Sequence, residues 1–133
     1  MPNAMTSKHV PKNLRAVTPY LTVKDADALL SFLSRTFGAE ELECHREAGA
    51  IVHAKVRIDD SVIEVSEATE QWPAMPCALH VYVPDCDAVH ARAVEAGATV
   101  LHGPMDQPYG ERSSALRDPA GNNWYIATYA QSA

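Results

Sequence analysis

The segment VKDADA (23–28) returns sixty positions later as VPDCDA (83–88). Such an echo constrains the fold, because each copy must form the same unit and the units must share a core. The flanks decide whether it is a repeat, and they return in step. TPYLTV (18–23) and ALHVYV (78–83) precede it and alternate as strands. Leu21 and Val23, or Val81 and Val83, share one face; Thr18, Tyr20 and Thr22, or Ala78, His80 and Tyr82, share the other. DADALLSFLSRTFGAE and DCDAVHARAVEAGATV follow it, each opening on aspartates suited to the positive N-terminal end of a helix. Ala26, Leu29, Leu30, Leu33 and Phe37 recur at helical spacing; Val89, Ala93 and Ala96 do so more sparsely. Gly38 and Gly97 read as left-handed helix C-caps, at an offset of 59 after one deletion in the helix.

The second half of each copy continues the match. IVHAKVRIDD (51–60) stands against GERSSALRDP (110–119), still at 59. SVIEVSEA (61–68) stands against NNWYIATY (122–129), after an insertion holding Pro119 and Gly121. This register equates His53 with Arg112 and Glu64 with Tyr125. Each copy reads strand, helix, strand, strand, strand. The prediction is one α+β domain over 17–129, with βαβββ modules at 17–66 and 78–129. The linker, 67–77, carries two prolines, and residues 1–16 form a loose, polar lead-in. An α+β sandwich with a coincidental echo is the plainer alternative.

At 133 residues the chain is long enough for one domain with a sizeable core. No apolar run approaches the roughly 20 residues of a membrane helix, and the N-terminus lacks the apolar stretch of a secretory signal. Cys44, Cys77 and Cys86 are odd in number and lack metal spacing, which suits reduced thiols in a cytoplasmic protein. A net charge of −6 with interspersed signs argues against a nucleic-acid surface. AGATV lacks the lysine and spacing of a phosphate loop, and no GxSxG elbow is present.

TPYLTVKDADALLSFLSRTFGAEEL, VHAKVRIDDSVIEV, LHVYVPDCDAVHARAVEAGATVL and YGERSSALRDPAGNNWYIAT together resemble the glyoxalase/bleomycin-resistance/extradiol-dioxygenase (vicinal oxygen chelate) superfamily. The likeness is to a glyoxalase-like subgroup with a YG-acid-R motif before a DP-x-G turn, and it covers residues 17–129. It implies a U-shaped mixed sheet around a concave pocket, helices outside, and a homodimer. It is weak evidence for a reaction, since one fold hosts many chemistries.

Strand alternation then sorts side chains into core and pocket. Val52, Ala54, Val56 and Ile58 form an apolar face, leaving His53, Lys55 and Arg57 on the concave side. Ile63 and Val65 belong to the core, Val62 and Glu64 to the pocket. Trp124 and Ile126 pack inward, while Asn123, Tyr125 and Ala127 line the cavity. Arg112 joins the concave set through its equivalence to His53. The expected substrate-binding residues are Tyr20, His53, Tyr82, Tyr109, Arg112 and Tyr125, with Glu64 and His80 as acid and base. Each has a structural reading too: His53 as a bond to a neighbour, Glu64 as an ion pair with Arg112, Lys55 or His80, Tyr125 as packing. Several polar groups on one face nonetheless favour a pocket.

The resemblance places metal ligands of the metal-dependent relatives at Thr18, Glu64, Ala78 and Tyr125. Only Glu64 is a good ligand, and a catalytic zinc takes about three. No cofactor is therefore expected; a rearranged Glu64–His80–His53 site is the alternative. The expected function is metal-independent binding of a small organic molecule. The competing reading is a lyase, isomerase or dioxygenase using Glu64 with His80 or His53. A purely structural module is disfavoured by the polarity of the concave face.

Overall fold

A computed structural model describes residues 9–130. Of the lead-in, residues 1–8 lie outside the described part, and 9–19 form turns and bends. The elements then run β1 (Tyr20–Val23), α1 (Ala26–Phe37), β2 (Glu40–Glu47), β3 (Ala50–Ile58), β4 (Ser61–Glu67), β5 (Ala78–Tyr82), α2 (Cys86–Glu95), β6 (Thr99–Gln107), β7 (Glu111–Arg117) and β8 (Asn123–Tyr129). Two βαβββ modules are thus present. Each makes an open, four-stranded mixed sheet, ordered β1-β4-β3-β2 and β5-β8-β7-β6. The first and last strands of each module are parallel neighbours, and the other pairs are antiparallel.

The helices begin where the aspartates stand. Asp25 and Asp85 each accept a hydrogen bond from the backbone N–H three residues on, at 3.1 Å in both copies. Gly38 ends α1 in the left-handed region at φ 66°, which a side chain resists. Each helix covers one face of its own sheet, and the helices touch each other. There the modules are joined. Arg35 Nη2 donates to the Glu95 carbonyl at 3.1 Å, and Arg92 Nε to that of Thr36 at 3.2 Å. The rings of Phe37 and Trp124 lie 4.9 Å apart across the junction. One core runs through both halves, from Leu21, Leu29, Phe32 and Val65 to Val89, Leu116 and Trp124. Phe32 is a core residue that the helical spacing did not single out.

Strand registers correct one part of the sequence reading. Glu64 stands opposite Tyr20 and Lys55, and Tyr125 opposite His80 and Ala115, so Glu64 and Tyr125 are equivalent as expected. Lys55 must then match Ala115, and His53 must match Ser113. The offset in the third strand is 60, and Arg112 corresponds to Val52. The residue missing from α2 is regained in β6. Between its pairs with Arg117 and Ser113, β6 advances from Thr99 to Met105, six steps against four. Between the matching pairs, β2 advances from Glu40 to His45, five steps against four. A slip of one residue reverses every side chain, so Arg112 faces the helix rather than the concave side.

Val52 departs from the expected apolar face for a similar reason. His45 pairs with His53 and Arg46 with Ile51, which leaves Val52 as an extra residue. Ile51 turns in at 1 % exposure and Val52 turns out at 41 %.

Candidate functional site

The helix-free faces of the two sheets carry the predicted residues as two separate clusters. On the first sheet β1, β3 and β4 bring Tyr20, His53 and Glu64 together. His53 Nε2 is hydrogen-bonded to Glu64 Oε1, and the Tyr20 ring lies 6.1 Å from that of His53. His45 stacks on His53 from β2 at 6.4 Å. Lys55 reaches Glu43 at 3.5 Å. Beside this polar cluster opens a groove of about 660 Å³, lined by Tyr20, Thr22, Val52 and Trp72 among others. Trp72 belongs to the linker, where its N–H donates to Thr69 Oγ1 at 3.0 Å, and its ring is exposed.

On the second sheet, His80 and Tyr82 project from β5 and Tyr125 from β8, with Tyr109 on the β6–β7 hairpin. His80 packs against the rings of Tyr82 and Tyr125, at 4.7 and 6.5 Å. At their centre is a residue the sequence reading missed, Glu111, which is 7 % exposed. The Tyr82 hydroxyl donates to Glu111 Oε1 at 3.1 Å, and His80 Nε2 lies 3.2 Å from Oε2. The bond to this carboxylate pushes the Tyr82 phenol above its usual pKa, with desolvation second. His102, Gln107 and Ser113 complete the surround. Counting back from buried Leu116 through Ser114 would have placed Glu111 on this face.

Arg112 belongs to neither cluster. Its guanidinium grips Asp87 in the first turn of α2, at 2.7 and 3.1 Å, and reaches Asp106 at 3.2 Å. Those carboxylates hold it charged, its pKa raised above the usual arginine value. Module one repeats the device with other residues. Arg46, from β2, holds Asp27 in the first turn of α1 at 2.6 Å. In both modules the aspartate pKa is lowered, first by the hydrogen bond from arginine.

The donor set does not suit a metal ion. Thr18, Ala78 and Tyr125 offer no carboxylate or imidazole where the resemblance puts ligands. His53 and Glu64 are bonded to each other on one sheet, while His80 sits on the other beside Glu111. Among the described residues no group of three or more His, Cys, Asp or Glu is placed to hold a metal.

Comparison with known proteins fixes the lineage. The family model for the Glyoxalase/Bleomycin resistance protein/Dioxygenase superfamily matches residues 13–126. The chain belongs to that superfamily. Within it, uncharacterized protein Mb0911c of Mycobacterium bovis is 31 % identical over 123 residues, covering 84 % of this chain and 81 % of that protein. Uncharacterized protein Rv0887c of Mycobacterium tuberculosis is equally similar, over 72 % of its length. TioX from Micromonospora sp. ML1 has the same fold at TM-score 0.75 and 25 % identity, covering 86 % of this chain and 98 % of its own. TnmS3, an antibiotic binding protein from Streptomyces sp. CB03234, follows at TM-score 0.68 and 22 % identity, covering 87 % and 99 %. Superfamily membership accounts for the repeated module and leaves the chemistry to the side chains.

Proposed function

We propose that this protein binds a small organic molecule with an extended apolar or aromatic body, without a catalytic metal. One observation carries the reading. The apolar groove under Trp72 and Val52 meets the hydrogen-bonded His53–Glu64 pair at Tyr20, so one ligand can lie flat on rings and end on polar groups. The likeness in fold to TnmS3, which binds an antibiotic, is in keeping with it. The same reading makes the working form a homodimer. Three free cysteines suit a reducing, cytoplasmic setting. A second reading has its own support: a hydrogen-bonded histidine–carboxylate couple is also what general acid–base catalysis needs.

Trp72 supplies the test, because Trp124 is buried and Trp72 is not. Aromatic antibiotics, bleomycin among them, are titrated while tryptophan fluorescence is followed. A saturable change that disappears in Trp72→Phe, with the compound recovered intact, supports binding. Consumption of the compound transfers the proposal to the acid–base enzyme. Absence of a saturable change across the panel overturns the groove as the site.

A further inference from the structure

Glu111 lies apart from that groove and lacks a permanent counter-charge. A carboxylate withdrawn from water to 7 % exposure requires a cation or several donors. Among the described residues its ion-pair partner is His80, whose charge is conditional, and its hydroxyl donor is Tyr82. Arg112, its neighbour in sequence, points to the opposite face of β7 and is spent on Asp87 and Asp106. Gln107 gives its amide to Ser113 Oγ at 3.0 Å. Water-facing rings stand beside the carboxylate: Tyr109 and Tyr125 line its groove, Tyr82 bonds to it through the hydroxyl, and all three are exposed, Tyr109 by 68 %.

We propose that this face of module two binds an organic ammonium group, with Glu111 as counter-ion and the rings of Tyr82, Tyr109 and Tyr125 as walls. Ring faces carry the negative end of a quadrupole and attract a cation that has been partly stripped of water. A buried carboxylate adds an attraction that water does not screen. The open groove beside Glu111, about 450 Å³, has room for an alkylammonium head. Other ligands fit less well. An anion meets Glu111. A divalent metal would find one carboxylate and imidazoles, and phenol rings do not replace its water. An ammonium group needs only one carboxylate and ring faces.

Choline and its neutral carbon isostere, 3,3-dimethylbutan-1-ol, separate charge from shape. They are titrated into isotopically labelled protein while the side-chain NMR resonances of His80 and Tyr125 are followed. Choline is expected to shift both resonances saturably, and to bind roughly ten-fold more tightly than the isostere, as the attraction of a partly desolvated cation to ring faces and a carboxylate would give. Glu111→Gln should remove that preference. Equal affinity for the two compounds, no binding of choline, or unchanged choline affinity in Glu111→Gln would overturn the proposal. Should Glu111→Gln fail to fold, Tyr109→Ala decides. The ring stands on an exposed loop, so a loss of choline affinity of about three-fold supports the site and unchanged affinity refutes it. Trp72 stands on the linker beside the other sheet, so the two sites stand or fall separately.

Discussion

His90 shows how a single side chain on the helix side becomes sensitive to pH. It rides on α2 with Nδ1 2.9 Å from Ser114 Oγ. Burial pushes its pKa below the usual value; Asp87 opposes the shift and His102 adds to it. The unfolded chain therefore takes up this proton first as pH falls, so the contribution is destabilising in acid. Stability drops as pH goes down through about 6.5, the free histidine value, and levels off below the lower folded value. His90→Gln, which keeps a partner for Ser114, is expected to lose less melting temperature than wild type between pH 7 and 5. Parallel curves would show that His90 titrates alike folded and unfolded. Glu111 and Arg112 give the opposite lesson about neighbours: adjacent residues of one motif, they serve opposite faces of the sheet.

Elements explain what the sequence disclosed and what it withheld. The order βαβββ was legible twice over, because aspartate caps, helical spacing and the glycine stops all act locally. So were the placements of Tyr20, Glu64, His80 and Tyr125, which sit in regular strands on either side of a parallel pairing. Arg112, Val52 and Glu111 were not. Val52 turns on a bulge in the β2–β3 pairing, which no short window of sequence contains, whereas Arg112 and Glu111 were read through the offset to His53 rather than from the regular alternation of β7 itself. The DP-x-G stretch has a different role. In the turn from β7 to β8, Asp118 is buried and accepts from Ala120 N–H at 2.8 Å, Asn122 N–H at 3.0 Å and Trp124 Nε1 at 2.8 Å. Asn122 Oδ1 in turn accepts from Cys77 N–H at 3.0 Å, tying the turn to the start of β5. Asp118→Ala would leave these donors without an acceptor. It should cost about 3 kcal/mol in urea unfolding, with loss of the near-ultraviolet circular dichroism of Trp124. A cost below about 1 kcal/mol would mean that water replaces the carboxylate.

At the scale of the molecule, the helices bind the modules to each other while both opposite faces stay open. Tyr20 and Val52 of module one and Trp72 of the linker are exposed, as are Tyr82, Tyr109 and Tyr125 of module two. A copy of the chain related by a twofold axis can set one self-complementary patch against another. Sedimentation equilibrium at 10 µM is expected to give twice the chain mass of 14.5 kDa; a monomer mass would separate the exposed rings from assembly. The bulges of β6 bear on something else, how such a chain can change length over time. β2 and β6 each have a neighbour on one side only. An extra residue stored there disturbs one pairing, as Val52 does at the end of β3 that only β2 pairs, whereas one added where β3 or β7 is paired on both sides would disturb two and turn core residues outward. After a gene doubles, its halves can therefore shed a residue from a helix and recover it at the rim, leaving the interior in register. For the same reason an inserted residue or label is better tolerated in β2 or β6 than in β3 or β7.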